Sequence, residues 1–144
     1  MIAIDTNILV YAEITTSLHH KVAKQILIDL AQGDRPWALP WPCVYEFLRV
    51  VTNPRVCHPP MPLEIAQADL QNLFASPTIV LLSETERHIK IMHKLIKQSK
   101  AKGNLVHDAH IATLCIEHGV TELFTADRDF LRFKDLQIRD PFNV

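Results

Sequence analysis

Apolar residues follow two rhythms along this chain. Short apolar runs at Met1–Ile4, Trp37-Ala38-Leu39, Thr78–Leu82, Glu122–Thr125 and Leu136–Arg139 have the length of strands buried on both faces. Between them, apolar positions recur every three or four residues, the period of a helix with one buried stripe. This spacing predicts helices over Ile8–Glu13 and His19–Ala31, the second with Val22, Ile26, Leu27 and Leu30 on its stripe. Pro42 stands where a further helix would start, carrying Val44, Phe47, Leu48 and Val51 until Asn53-Pro54 ends it. Leu63–Phe74 is the next helix, and Ser83-Glu84-Thr85-Glu86 has the spacing of a capping box that opens a long helix to about Lys100. Asn104–His118 is the last helix, closed by Gly119 at the C′ position. Strands alternating with helices predict an α/β fold in three layers, a parallel sheet of four or five strands with helices on both faces. In such sheets functional groups gather where strands end and helices begin. No internal repeat is visible, and residues 1–144 read as a single domain.

Composition narrows the picture without changing it. A chain of 144 residues that is 48% apolar has enough material for a core that needs no staple. Cys43, Cys57 and Cys115 make no C-x-x-C pair, and their odd number argues against a disulfide framework. No basic segment precedes the first apolar run, and no run approaches the ~20 residues of a membrane span. The expectation is a soluble, cytoplasmic protein in a reducing compartment. Fifteen basic against sixteen acidic residues leave a net charge of −1, which excludes a strongly basic general nucleic-acid binder. A nucleic-acid substrate would have to be held by a local patch and by bound cations.

The candidate chemistry lies in the placement of acids. Asp5 directly follows the first strand, where it is either the N-cap of the next helix or a site carboxylate. Asn7 carries the same ambiguity, as a cap or as a polar group steering a carboxylate or water. Glu46 is the only acid between Asp34 and Glu64, in a helix otherwise almost wholly apolar. A carboxylate there is costly unless it is paired, metal-bound or exposed at a helix margin, with Arg49 one turn on as the alternative partner. Asp108 heads the buried stripe Ile111, Ala112, Cys115 as a cap or a ligand, and Asp127 follows a strand with the same two readings. Asp129 reads as a solvated turn residue or an added site member. Three of these carboxylates within ~4 Å of one another would repel by about 4 kcal/mol per pair at an effective dielectric near 20. Such a cluster needs protons or cations, and oxygen-only ligands favour Mg²⁺ or Mn²⁺ over zinc. A metal among carboxylates typically grips a phosphate and activates water.

Four stretches closely resemble PIN-domain ribonucleases, and most of all the VapC-type toxins of toxin–antitoxin pairs. They are Asp5-Thr6-Asn7-Ile8-Leu9-Val10-Tyr11, Glu46-Phe47-Leu48-Arg49-Val50-Val51-Thr52-Asn53-Pro54-Arg55, His107-Asp108-Ala109-His110-Ile111-Ala112 and Thr125-Ala126-Asp127-Arg128-Asp129-Phe130. The resemblance runs the length of the chain and is weakest from Met61 to Lys102. It implies Asp5, Glu46, Asp108 and Asp127 as catalytic acids, with Asp5, Asp108 and Asp127 on the metal. It also implies Asn7 and Thr125 lining that site and Asp129 as a possible further member. It further implies Mg²⁺ or Mn²⁺, RNA hydrolysis leaving a 5′-phosphate, a small cognate antitoxin and a homodimer. Leu9, Val10, Tyr11 and Ile14 are the candidate antitoxin-docking surface, with burial in the core as the alternative.

Other readings fit less well. The tandem His107-Asp108, with His58, His88 or His93 upstream, suggests an HD-type phosphohydrolase, which is all-helical. His107 and His110 have zinc-compatible spacing but read as surface histidines. Asp5-Thr6-Asn7 lacks the second aspartate of a dehalogenase-type phosphatase, and a receiver-like switch would need an Asp where Thr78–Leu82 meets Ser83.

Overall fold

A computed structural model describes residues 1–143. Five short parallel strands form one sheet: β1 (Ile2–Ile4), β2 (Trp37–Pro40), β3 (Ile79–Leu82), β4 (Glu122–Phe124) and β5 (Gln137–Arg139). Their order is β3-β2-β1-β4-β5, with Ile2 in register with both Trp37 and Glu122. The chain therefore builds outward from β1 to β3, then returns to the other side of β1 for β4. That reversal opens a crevice beyond the carboxyl ends of β1 and β4, the position where sheets of this kind hold ligands.

Two pairs of helices, α1 (Thr6–Glu13) with α2 (His20–Gln32) and α3 (Trp41–Val51) with α4 (Leu63–Phe74), make the crossovers to β2 and β3. A third pair, α5 (His88–Ser99) and α6 (Leu105–Glu117), carries the chain back to β4. Right-handed crossovers put the first two pairs on one face and the third on the other. Ile4, Leu39, Leu82 and Leu123 are wholly buried between these layers. Helix α6 is apolar almost all round and buries Ile111, Leu114 and Cys115. A Schellman motif ends it: Gly119 sits at φ 69°, and the N–H groups of Gly119 and Val120 donate to the carbonyls of Ile116 and Cys115. Only a residue free to adopt positive φ closes that turn without strain.

Three sequence expectations need correction. The Ser83–Glu86 segment is not a capping box: α5 starts at His88, and no side chain caps it. Thr85 instead gives its N–H and hydroxyl to Glu117, a tertiary contact that outcompetes the local cap. On α2 Ala23 is the wholly buried residue, while Val22 is 44% exposed. Leu9 and Val10 are core residues, so the first helix does not offer the exposed docking surface expected of it. Leu9 instead floors an apolar groove walled by Leu27 and Ile28 of α2 and Leu70 and Leu73 of α4. Among the described residues, no helix is long and apolar enough to cross a membrane.

Candidate active site

Asp5 leaves β1 in extended conformation and caps α1, its Oδ1 accepting the Thr6 N–H at 2.7 Å. The Thr125 hydroxyl donates to Oδ2 at 2.7 Å and the Asn7 amide donates to the same oxygen at 3.0 Å. Asn7 in turn accepts the Ala126 N–H at 3.1 Å, so one amide ties the end of β1 to the end of β4. Capping, one of the two alternatives in the sequence, is realised by this side chain, whose other oxygen is held by Thr125 and Asn7.

Helix α3 brings Glu46 to the same place. Its Oε2 accepts the Thr6 hydroxyl at 2.9 Å, and Arg49 reaches Oε1 only at 3.5 Å. That ion pair is largely exposed on the arginine side and is worth little. Asp108, in the first turn of α6, points into the cleft from the opposite layer. Asp127 caps the short 3₁₀ turn Arg128–Arg132 by accepting the Asp129 N–H at 2.9 Å. Carboxylate oxygens of Asp108, Asp127 and Asp129 lie within 4.8 Å of one another.

Asp5, Glu46, Asp108 and Asp127 thus surround one recess, and none of the residues lining it is basic. It opens into a wider cleft bordered by Tyr45, Arg49, His107 and Asp129. The electrostatic consequence is direct. Burial pushes the Asp5 carboxyl from 3.8 to about 6, with repulsion from Glu46 and Asp127 added and hydrogen bonds from Thr125 and Thr6 opposing. Burial and then the charges of Asp127, Asp5, Asp129 and Glu46 push Asp108 to about 7. Asp5 stays raised although Thr6, Thr125 and Asn7 all donate to it, so a positive charge is what would favour its ionised form. Donors that are all oxygen, converging and under-neutralised, fit a hard divalent ion.

All seven residues singled out in the sequence are at or beside this recess, Asn7 and Thr125 as the clamp on Asp5 and Asp129 at its outer edge. Thr6 was missed. Its only sequence signal is a hydroxyl next to an acid at a helix start, which reads as capping. The HD-type alternative fails on architecture: a five-stranded parallel sheet is not the all-helical frame of such a site.

A family model described as a PIN domain matches residues 2–136. Ribonuclease VapC43 of Mycobacterium tuberculosis is 36% identical over 143 residues, covering 99% of this chain and 97% of its own length. Ribonuclease VapC48 of the same organism is 32% identical over 139 residues, 96% of each. A solved VapBC2 assembly from Rickettsia felis, bound to a promoter DNA fragment, contains a chain that superposes with a TM-score of 0.69 at 22% identity, covering 96% of this chain and 98% of that one.

Proposed function

The chain belongs to the PIN-domain family, and from that premise we propose that it is a divalent-metal-dependent endoribonuclease, the toxin of a toxin–antitoxin pair. The observation that carries this reading is the convergence of Asp5, Glu46, Asp108 and Asp127 on one recess without a basic side chain among its walls. Asp5, Asp108 and Asp127 would hold Mg²⁺ or Mn²⁺, with Asp129 at the margin. When bound, such an ion supplies positive charge to the phosphodiester oxygens and acidifies an attacking water.

The chain's own residues supply the rest. Thr125 and Asn7 fix the rotamer of Asp5, so its carboxylate is pre-aimed rather than ordered on binding. Asp108, raised to about 7 by burial and the neighbouring acids, would release its proton to solvent near neutral pH and so be free as a carboxylate to hold such an ion. Glu46, with Oε2 held by Thr6, is positioned to take the proton from the water that attacks phosphorus. The P–O3′ bond then breaks and the departing O3′ takes a proton from solvent, leaving a 3′-hydroxyl and a 5′-phosphate. Arg49 and His107 on the outer cleft wall are placed to contact the RNA backbone, and Tyr45, 71% exposed, offers a ring face to a base.

Partners follow from what such an enzyme would do if unrestrained. A small cognate antitoxin binds the apolar groove between α1, α2 and α4 with a helix or extended segment, and the toxin forms a homodimer. An arginine of the antitoxin, set among the four acids, would stand in for the cation. Incubating antitoxin-free protein with total RNA, with and without Mg²⁺ and with the cut ends mapped, tests the activity. Metal-dependent internal cuts bearing 5′-phosphates are expected, and intact RNA in both arms would overturn the reading.

A further inference from the structure

Along α6 from Asp108 a second group of ligating side chains converges, and it contains nitrogen. His110 projects from α6, Glu84 from the segment before α5, and His88 is the first residue of α5. One ligand atom from each of the three lies within 4.8 Å of the others. His110 Nε2 and Glu84 Oε1 are 2.7 Å apart, and the two imidazole rings stand nearly perpendicular with centroids 5.6 Å apart. Two imidazoles on one tetrahedral ion have centroids roughly 5 Å apart and ligand atoms roughly 3.3 Å apart, so small side-chain rotations would close the cluster onto a cation.

The cluster is also built from behind. Glu117, 1% exposed, takes His88 Nδ1 on Oε1 and both the Thr85 hydroxyl and N–H on Oε2, at 2.7 and 3.1 Å. This fixes the His88 ring and its tautomer, with Nδ1 turned inward. Among the described residues, its Nε2 makes no hydrogen bond. A carboxylate behind one nitrogen of a histidine is the usual support for a metal on the other. Arg87 donates to the Glu117 carbonyl, and His118 Nε2 sits 2.6 Å from the Ser83 carbonyl. The segment that carries Glu84 is therefore clamped to the end of α6. The Glu84 and His110 side chains remain 53% and 37% exposed, so an ion can reach them.

We propose that Glu84, His88 and His110, with Glu117 orienting His88, form a second metal site that takes a borderline divalent cation of the zinc type. Two imidazoles and one carboxylate leave a fourth position open to water, and nitrogen ligands select zinc over the hard ions suited to the oxygen-only recess. His110 also borders the wide cleft, so the ion would sit at the rim of the active site and staple the 83–88 segment to the helix that carries Asp108. This is independent of the nuclease reading.

The test is competition for Zn²⁺ between the full chain and a chromogenic chelator, in excess Mg²⁺ so that a hard ion fills the carboxylate recess. One Zn²⁺ per chain is expected, undisplaced by Mg²⁺ and retained by Asp108→Asn. His110→Gln and Glu84→Gln, both substitutions of exposed side chains, are each expected to weaken binding tenfold or more. Glu117→Gln, which acts through His88 and Thr85 and not as a ligand, is expected to weaken it about tenfold. Zn²⁺ that Mg²⁺ displaces, or that is lost in Asp108→Asn but kept in His110→Gln and Glu84→Gln, would overturn the proposal.

Discussion

Asp5 and Glu117 are both buried carboxylates, 5% and 1% exposed, yet they titrate in opposite directions. Asp5 is raised to about 6 by burial and by neighbouring acids. Glu117 is also penalised by burial, but hydrogen bonds from Thr85 and His88 outweigh that and hold it below the usual carboxylate range. Asp5 is surrounded by hydroxyl and amide donors that orient it without neutralising it, whereas Glu117 has an imidazole to share a proton with. Burial alone therefore does not set the direction in which an acid shifts. The partner does: one carboxylate has an imidazole beside it, and the other has hydrogen-bond donors but no basic side chain among the residues lining its recess.

The sharpest way to break this contrast is to remove a charge from the unsatisfied side. Among the described residues Asp108 accepts no capping hydrogen bond, so Asp108→Asn keeps shape and removes only a charge, and RNA cleavage in Mg²⁺ is expected to fall a hundredfold or more with the fold intact. Unchanged cleavage would remove Asp108 from the proposed metal site.

The next effect is on stability and has a definite sign. Asp5 and Asp108 have folded values above their ordinary 3.8, so the folded metal-free chain binds more protons than the unfolded one. Their contribution is fully present below about pH 4 and is lost as pH rises through about 6 and 7. For Asp5 the difference corresponds to about 3 kcal/mol, while the half-buried Asp108 adds less than its shift suggests because solvent screens it. In chelator, the melting temperature is expected to drop between pH 5 and pH 8. Millimolar Mg²⁺ or Mn²⁺ should restore it at pH 8 and do little at pH 5, because the ion binds only the folded, deprotonated site. A pH 8 melting curve indifferent to both ions would count against a preformed acidic centre.

On the satisfied side, removal should damage the fold and spare the chemistry. Glu117→Ala leaves His88 and Thr85 without their acceptor and is expected to cost about 2 kcal/mol in urea unfolding. That is less than for a wholly buried pair, because His88 keeps some exposure. Cleavage per folded molecule should be unchanged, and a large loss of cleavage would mean that the two regions are coupled through α6.

The same contrast explains what the sequence revealed. An acid after a buried strand or inside an apolar helix is conspicuous because it is expensive, which is why Asp5, Glu46 and Asp108 stood out. Glu117, after Leu114-Cys115-Ile116, carries the same signal and could have been noticed, but it is the last residue of α6, where a polar side chain reads as the exposed margin of a helix. Its partners, Thr85 and His88, lie about thirty residues upstream, and nothing local announces them. The apparent capping box hid them further, since Thr85 reads as a cap until its hydroxyl is seen on Glu117. The helices and strands were legible from period and length. The strand order was not, because β1 and β4 become neighbours through contacts about 120 residues apart.

Asp129 is the marginal member on which the distinction can be sharpened, and its effect should be the smallest. It is exposed, and its backbone N–H, not its carboxylate, supports the Asp127 cap. Yet its oxygens come within 4.8 Å of those of Asp108 and Asp127, and its charge adds to the upward push on Asp108. Asp129→Asn keeps the cap and removes one exposed charge, so cleavage at saturating Mg²⁺ is expected to change less than about fivefold, with a modestly higher Mg²⁺ requirement. The Asp108 carboxyl, relieved of one neighbour, should titrate slightly lower, which a pH profile of Mg²⁺ binding would register. A loss as large as that of Asp108→Asn would place Asp129 among the true ligands, and exposure would then be as poor a guide to a carboxylate's role as burial is.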